Sequence, residues 1–228
     1  MSKEGGGNKT NLEAIKILVN SERLILKHLK EVIKIKSFNY KTFGVDIEDY
    51  ISDILIKIFK ENKLVKDKND YKLAPHKNHF PDFELKTSPS LAIEYKSGNV
   101  IKLSKGRWVN CKNSNNDMGT LNSWPEKIKK FERENIYYIF VIYKLNKQFK
   151  KIIDVQIAPF YEFIGLNKDG MLRYREKDGN LRPKDFYEKS LINSFKQFND
   201  LFKKTCDYRS RRIIKKHQKI LRSISLKK

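Results

Sequence analysis

Apolar residues recur at helical spacing through the first sixty residues of the chain. From Asn11 to about Lys36 they return every three or four positions, with lysines between them. A second apolar stripe runs from Ile47 to Phe59. Asp46, with Asp49 three residues on, is placed to cap the start of this second segment. The pattern therefore predicts two helices, each with one face in a core and the other polar.

Shorter apolar runs further along the chain predict strands. Two such runs flank the turn formers of 87–90, which indicates a hairpin. Its first strand should end around Asp82 to Lys86, and its second should run from Leu91 to about Leu103. Residues 136–145 are almost continuously apolar, as in a central strand covered on both faces. Residues 151–158 predict one more strand.

The remaining segments connect these elements. Residues 60–78 and 107–124 are polar and predict loops. Residues 125–135 suit a short helix, since Pro125 fits a first turn. Turn signals within 159–183 predict a small peripheral hairpin.

The C-terminal segment returns to helical spacing. Apolar residues take up that spacing again from Lys184, and the last twenty residues form a basic amphipathic pattern. The order predicts an α/β (α+β) fold with a mixed central sheet flanked by helices. We expect one domain, divided into a flexible terminus (1–10), a helical region for dimerisation or DNA contact (11–60), a catalytic core (70–186) and basic helices (187–228).

The net charge of the chain limits the classes of function that the sequence suggests. The chain carries 49 Lys and Arg against 27 Asp and Glu, a formal net charge of +22. Such an excess predicts binding to a polyanion, most often nucleic acid. No apolar run is long enough to span a membrane, and the first residues lack the apolar core of a signal peptide. The two cysteines have no metal-ligand spacing, so we expect reduced thiols and a cytoplasmic protein.

The predicted hairpin also carries the candidate chemistry. Pro81-Asp82 is followed, after eleven residues, by Glu94-Tyr95-Lys96. Residues two apart on a strand share a face, so Glu94 and Lys96 point the same way. If the hairpin pairs Asp82 with the Glu94 region, two carboxylates and an ammonium converge. Two hard oxygen ligands suit Mg²⁺, and the group as a whole suits metal-assisted phosphodiester hydrolysis.

Two other interpretations of this stretch stay open. Glu84-Leu85-Lys86 repeats the Glu-x-Lys spacing, but Glu84 lies on the same strand as Asp82 and cannot face it from a neighbouring strand. Alternatively, the stretch is an ordinary hairpin with charged faces, since a third of the chain is charged.

The series of motifs resembles the PD-(D/E)xK nuclease superfamily, and within it the type II restriction endonucleases. The resemblance rests on Glu94-Tyr95-Lys96-Ser97, then Leu103-Ser104-Lys105-Gly106, a polar loop, and an aromatic strand at 138–143. It implies that Asp82, Glu94 and the backbone carbonyl of Tyr95 ligate Mg²⁺. It also implies that Lys96 is the catalytic lysine.

Residues for DNA contact follow from three sources. Asparagine pairs bidentately with adenine and lysine with guanine in the major groove, which suits the asparagine-rich loop. The basic tail suits phosphates, and the resemblance adds Asp46. An AT-rich genome also explains the asparagines, and a cap explains Asp46. The predicted residues are Asp46, Lys105, Arg107, Asn110, Lys112, Asn113, Asn115, Asn116, Arg209, Arg211 and Arg212.

The sequence thus predicts a Mg²⁺-dependent type II restriction endonuclease that cuts double-stranded DNA as a homodimer. A dimer follows because one site per chain must cut two strands of opposite polarity. We expect a palindrome containing A·T pairs, and the resemblance implies blunt or near-blunt ends. The alternatives are a repair nickase or junction resolvase on the same fold, or a non-catalytic basic nucleic-acid-binding protein.

Overall fold

Six α-helices, two short 3-10 helices (Lys68–Asp70 and Phe160–Phe163) and six strands lie in the part of the chain that the structure, a computed structural model, describes. That part covers residues 10–39, 41–76, 79–102, 106, 108–111, 117–132, 134–146 and 149–225. The helices are α1 Asn11–Asn20, α2 Glu22–Ile35, α3 Phe43–Glu48, α4 Ile51–Glu61, α5 Trp124–Phe131 and α6 Phe195–Ser225. The strands are β1 Tyr71–Leu73, β2 Phe83–Leu85, β3 Leu91–Lys102, β4 Trp108–Asn110, β5 Ile136–Asn146 and β6 Phe149–Pro159.

The strands form one mixed sheet in the order β1-β2-β3-β5-β6, with β4 paired to the far end of β3. β3 and β5 run parallel, from the Ala92–Ile136 pair to the Asn99–Tyr143 pair. The other pairs are antiparallel. The chain crosses from β3 to β5 through α5, as a parallel pair requires. β3 therefore lies in the middle of the sheet.

Helices cover the sheet on both faces. Alternate residues of β3 and β5, such as Tyr95 and Ile139, join a core with α1 to α4. The intervening residues, such as Ala92 and Phe140, pack on the opposite face with α5 and α6. Trp124 of α5 is fully buried there. This arrangement confirms the predicted fold class, and it confirms that β5 is covered on both faces.

Two of the predicted helices differ from those observed. The segment from Asn11 to Lys36 is two helices, separated at Ser21, whose hydroxyl donates to the Leu18 carbonyl at 2.6 Å. The second predicted helix also consists of two separate helices, α3 and α4. Asp46 lies inside the first turn of α3 rather than at its cap; Thr42 precedes that helix and donates its hydroxyl to the Asp46 carboxylate at 2.8 Å.

The polar segments contain more structure than their composition predicts. β1 lies within the predicted loop of 60–78, and β4 lies within that of 107–124. Helix α6 begins at Phe195 rather than near Lys184, because Ser194 caps it by accepting from the Gln197 amide at 3.2 Å. The 159–183 segment pairs as expected through isolated bridges, including Leu166 with Leu172 and Tyr174 with Leu181.

Helix α6 is 31 residues long and changes character along its length. Its first half packs against α5 and the 159–183 segment, where Phe198 contacts Trp124 and Phe160 and both Phe198 and Thr205 are fully buried. Most side chains beyond Arg209 are exposed. Among the described residues, no helix, α6 included, is both long and apolar enough to cross a membrane.

Candidate active site

Asp82 lies opposite Glu94 across the β2–β3 hairpin. The antiparallel register pairs Phe83 with Ile93, so the residue before β2 falls beside Glu94. The backbone amide of Tyr95 donates to Asp82 Oδ2 at 2.6 Å, which fixes that carboxylate against β3. The pairing expected from the sequence is therefore confirmed.

Glu94 and Lys96 share one face of β3, as residues two apart must. Lys96 Nζ lies 2.7 Å from Glu94 Oε1. Glu94 is only 8% exposed, and its other oxygen, Oε2, is buried with no hydrogen-bond partner in the structure. Tyr95 points into the opposite core, where its hydroxyl lies 3.1 Å from Ser52 Oγ. One carboxylate oxygen at this site thus remains free for a ligand.

The surroundings of the site shift the pKa values of Asp82 and Lys96. Burial, reinforced by the charge of Glu94, raises the pKa of Asp82 to about 7. Burial lowers the pKa of Lys96, but the charges of Glu94 and Asp82 outweigh it, and the resulting pKa lies above the ordinary value. The lysine is therefore an ammonium near neutral pH, whereas Asp82 readily holds a proton.

A third carboxylate, Glu48 of α3, reaches the site from the helical layer. Gly44 lets α3 approach β3 closely, since a Cβ there would lie 2.6 Å from Ser97 Oγ and 3.0 Å from the Tyr143 hydroxyl. Burial raises the pKa of Glu48 to about 7, although the charge of Lys96 and a hydrogen bond from Ser97 oppose the shift. Nothing in the apolar stripe of this segment distinguishes Glu48 from an ordinary surface residue.

Glu48, Asp82 and Lys96 border a cleft of about 460 Å³ between α3, α4 and the hairpin. Four carboxylates, an imidazole and the catalytic-lysine candidate line it, so it is polar and mostly acidic. The lining residues are Val45, Glu48, Asp49, Ser52, Asp53, Leu73, Ala74, His76, Asp82, Tyr95 and Lys96.

The donors suit a hard cation with open coordination positions. Among the described residues, no group of three or more His, Cys, Asp or Glu side chains is arranged to hold a metal ion by itself. Two carboxylates with one free, buried oxygen are the kind of site that Mg²⁺ occupies, because it keeps several waters and shares substrate phosphates. The oxygens that would hold such an ion are those of the Asp82 carboxylate and the unpaired Oε2 of Glu94.

The second Glu-x-Lys pair lies in different surroundings. Across the sheet, Glu84 pairs with Ala92 on one side and Lys72 on the other. Its cross-strand neighbours therefore offer it no second carboxylate. Lys86 is exposed.

Some of the predicted DNA contacts already have partners within the protein. The Asn110 amide is engaged at both ends, donating to the Lys184 carbonyl at 2.9 Å and accepting from the Phe186 amide at 3.2 Å. On α6, Arg211 pairs with Asp207 at 3.0 Å and Arg212 with Glu176 at 2.5 Å. Arg209 lies over the Tyr174 ring, 6.0 Å from its centroid.

The other predicted base readers cannot be placed. Lys105, Arg107, Lys112, Asn113, Asn115 and Asn116 lie outside the described residues. The structure does describe the start of this loop. There, the Cys111 amide donates to the Asn99 carbonyl at 2.8 Å. That point is three residues from Lys96 along β3.

Comparison with known proteins identifies the fold. No protein-family model matches the chain, and no curated protein sequence does. Among solved structures, the NlaIV restriction endonuclease matches with a TM-score of 0.53 at 15% identity, over 80% of this chain and 78% of that one. The chain therefore has a restriction-endonuclease-like fold. Assignment to the PD-(D/E)xK superfamily, and the narrower motif resemblance to the PvuII endonuclease, stay predictions.

Proposed function

We propose that this protein is a Mg²⁺-dependent type II restriction endonuclease that hydrolyses phosphodiester bonds in double-stranded DNA. One observation carries the proposal: Asp82 and Glu94 face each other, with Lys96 bonded to one glutamate oxygen and the other oxygen free. The likeness to the NlaIV restriction endonuclease supports the proposal. The net charge of +22 supports DNA as the substrate.

Each group in the site has a role in this reaction. Asp82 and Glu94 hold the metal, and we propose the Tyr95 carbonyl as a further ligand. Bound there, Mg²⁺ supplies a water of lowered pKa and stabilises charge on the phosphate. Lys96, kept charged by Glu94 and Asp82, orients the attacking water and offsets negative charge on the phosphate. As the water oxygen bonds to phosphorus, the bond to the leaving sugar oxygen breaks and that oxygen gains a proton.

We propose a homodimer as the active form, because a palindrome presents two scissile bonds related by a two-fold axis. Ile213, Ile220 and Ile224 lie on one face of α6, since they are seven and four residues apart. They are 40%, 48% and 63% exposed. The cations Arg211, Lys215, Lys219 and Arg222 lie on the other face. A second copy of α6 fits the apolar face, since it leaves the basic face free for DNA.

We further propose that the asparagine-rich loop reads the recognition sequence. At about 3.3 Å per residue, three residues separate its start beside Asn99 from Lys96 by roughly 10 Å. A loop that begins so close to the reacting phosphate reaches the major groove near the centre of the site. Asparagine selects adenine, so we expect central or near-central A·T pairs and, from the motif resemblance, blunt or near-blunt ends. A recognition sequence made only of G·C pairs contradicts this part of the proposal.

A plasmid digest tests the proposed function. Supercoiled and linear plasmids are incubated with the protein and Mg²⁺, with EDTA as the control, and the ends of the products are sequenced. Discrete fragments with a common end sequence support the proposal. Open circles alone indicate a nickase, and retarded but intact DNA indicates a non-catalytic binding protein.

A further inference from the structure

Helix α5 carries a second lysine on the active-site side of the sheet. Lys127 Nζ lies 4.0 Å from the centroid of the Phe80 ring and 5.2 Å from that of Trp124. Phe80 immediately precedes Pro81-Asp82, so the ammonium lies beside the peptide that carries the first carboxylate. The sequence pattern does not distinguish Lys127 from Lys129 and Lys130, its neighbours on the same helix.

The pocket around this ammonium is built from fixed parts. Gly119 has φ +89°, and a Cβ on it would lie 3.0 Å from Lys127 Nζ, so the missing side chain leaves the space that the lysine occupies. Trp124 is fully buried, stacks on Phe160 with centroids 4.1 Å apart, and donates to the Met118 carbonyl at 3.1 Å. Trp124, which forms one wall of the Lys127 site, is therefore held in place by packing in the core.

Lys127 has no ion-pair partner within 4.0 Å among the described residues. Holding a lysine side chain in one conformation costs rotamer entropy, and a cation–π contact at most about offsets that cost. The ammonium is nevertheless held, and not on the solvated face of α5 where Lys129 lies. This arrangement indicates a charge kept ready for a ligand from outside the chain.

Lys127 lies near enough to Asp82 and Glu94 for the charges of both to act on it. Burial lowers the pKa of Lys127, the carboxylates of Glu94 and Asp82 act against that shift, and Lys96 adds to it. Lys96 and Lys127 thus act on the same carboxylate pair from two elements, β3 and α5. A phosphodiester drawn toward two carboxylates is repelled by them, and a second cation offsets that repulsion.

We propose that Lys127 binds a non-bridging oxygen of the scissile phosphate and forms, with Lys96, a two-cation site around the reacting group. The proposal rests on the proposed nuclease function. Lys127 exchanges no proton in this role and forms no bond. It is a catalytic residue only in that it touches the substrate.

Three variants separate this role from a structural one. Lys127→Met keeps an unbranched side chain between Phe80 and Trp124 but removes the charge, and Lys127→Arg keeps the charge. Lys129→Met is the matched control, because Lys129 is an exposed residue of the same helix on its other side. Thermal unfolding of each variant shows whether the fold is intact. Should Lys127→Met unfold, the comparison of Lys127→Arg with Lys127→Gln takes its place.

Single-turnover cleavage of the mapped site is the first measurement. We expect Lys127→Met to slow cleavage about a hundredfold, as removal of one preorganised donor does. Lys129→Met should stay within about twofold of the parent, and Lys127→Arg should recover part of the rate. Parent-like cleavage by Lys127→Met overturns the proposal. A parent protein that cuts no DNA overturns the proposed function first, and this inference with it.

DNA binding without metal is the second measurement. In EDTA, Lys127→Met should bind the cognate duplex more weakly than the parent, with a salt slope smaller by about 0.9. On a duplex with an uncharged methylphosphonate at the scissile position, the two proteins should bind equally, because the proposed partner of Lys127 is gone. Equal losses on both duplexes indicate a structural role and overturn the proposal.

Discussion

Asp82 and Glu94 face each other across the β2–β3 hairpin, and the amide of Tyr95 holds the Asp82 carboxylate at 2.6 Å. Two carboxylates held this close on a buried sheet repel each other unless a proton or a cation lies between them. The arrangement is therefore costly for the protein alone and favourable once a cation binds. Functional sites commonly trade stability for activity in this way.

The first prediction concerns stability in EDTA. The pKa of Asp82 is raised to about 7 in the folded protein from an ordinary value of 3.8, and that of Glu48 to about 7 from 4.5. Between those values the folded state binds more protons than the unfolded state, so stability falls as pH rises from about 4 to about 7. Asp82→Asn and Glu48→Gln should remove this loss and stabilise the protein at pH 8, but change it little at pH 4.

Each of these substitutions should contribute on the order of 1 kcal/mol at pH 8. For a domain of this size that is about 2–4 °C in Tm. Differential scanning calorimetry at both pH values makes the measurement, with Glu84→Gln, two residues beyond Asp82 in β2, as the control. Added Mg²⁺ should raise the Tm of the parent at pH 8 and leave that of Asp82→Asn nearly unchanged. If Asp82→Asn is less stable than the parent at pH 8 in EDTA, the proposed repulsion between the carboxylates is wrong.

The second prediction concerns the exposed lysines of α6. Lys215, Lys216 and Lys219 are exposed, and so are Arg211 and Arg212, but these two arginines pair with Asp207 and Glu176. Replacing all three lysines by Ala should reduce the slope of log K against log salt by up to about 2.7, at about 0.9 for each phosphate contact. Replacing all three by Arg is the charge-matched control and should keep the slope. If the alanine variant binds DNA with the parent's slope, these three lysines make no phosphate contacts.

The third prediction concerns the apolar face of α6. Ile220→Asp should convert the proposed dimer to a monomer, because the substitution buries two charges in a helix pair. Sedimentation equilibrium at several concentrations measures the change. Ile35→Asp, at an exposed end of α2, should leave the mass unchanged. A parent protein that is monomeric at all concentrations rules out this interface, and an Ile220→Asp variant that remains a dimer places the interface elsewhere.

The sequence pattern predicts the sheet better than it predicts the site. The strands of the hairpin follow from apolar alternation around a turn, and the strand period then places Asp82, Glu94 and Lys96 together. Glu48 and Lys127 have no such signal, because helices bring them to the site and helix positions depend on packing. The approach of Gly44 to Ser97 positions the first, and Gly119 beside Trp124 positions the second.

Two local features explain why some observed elements differ from the predicted ones. Apolar spacing from Phe186 onward suits a helix, yet Ser190 donates its hydroxyl to the Ile192 carbonyl at 2.8 Å and holds a turn there. β1 is three residues long and pairs at the edge of the sheet, so it leaves almost no apolar period to detect.

We propose that Asp82, Glu94 and Lys96 act together to cleave DNA. The most direct test is single-turnover cleavage of the mapped site by Asp82→Ala, Glu94→Ala and Lys96→Ala beside Glu84→Ala and Lys86→Ala, with all variants checked for folding and for DNA binding in EDTA. We predict that the first three lose at least about a hundredfold in rate while binding stays measurable, because binding rests mainly on phosphate contacts elsewhere. The other two should cut close to the parent rate. The proposal is contradicted if folded Glu84→Ala is as inactive as Glu94→Ala, or if Lys96→Ala cuts like the parent.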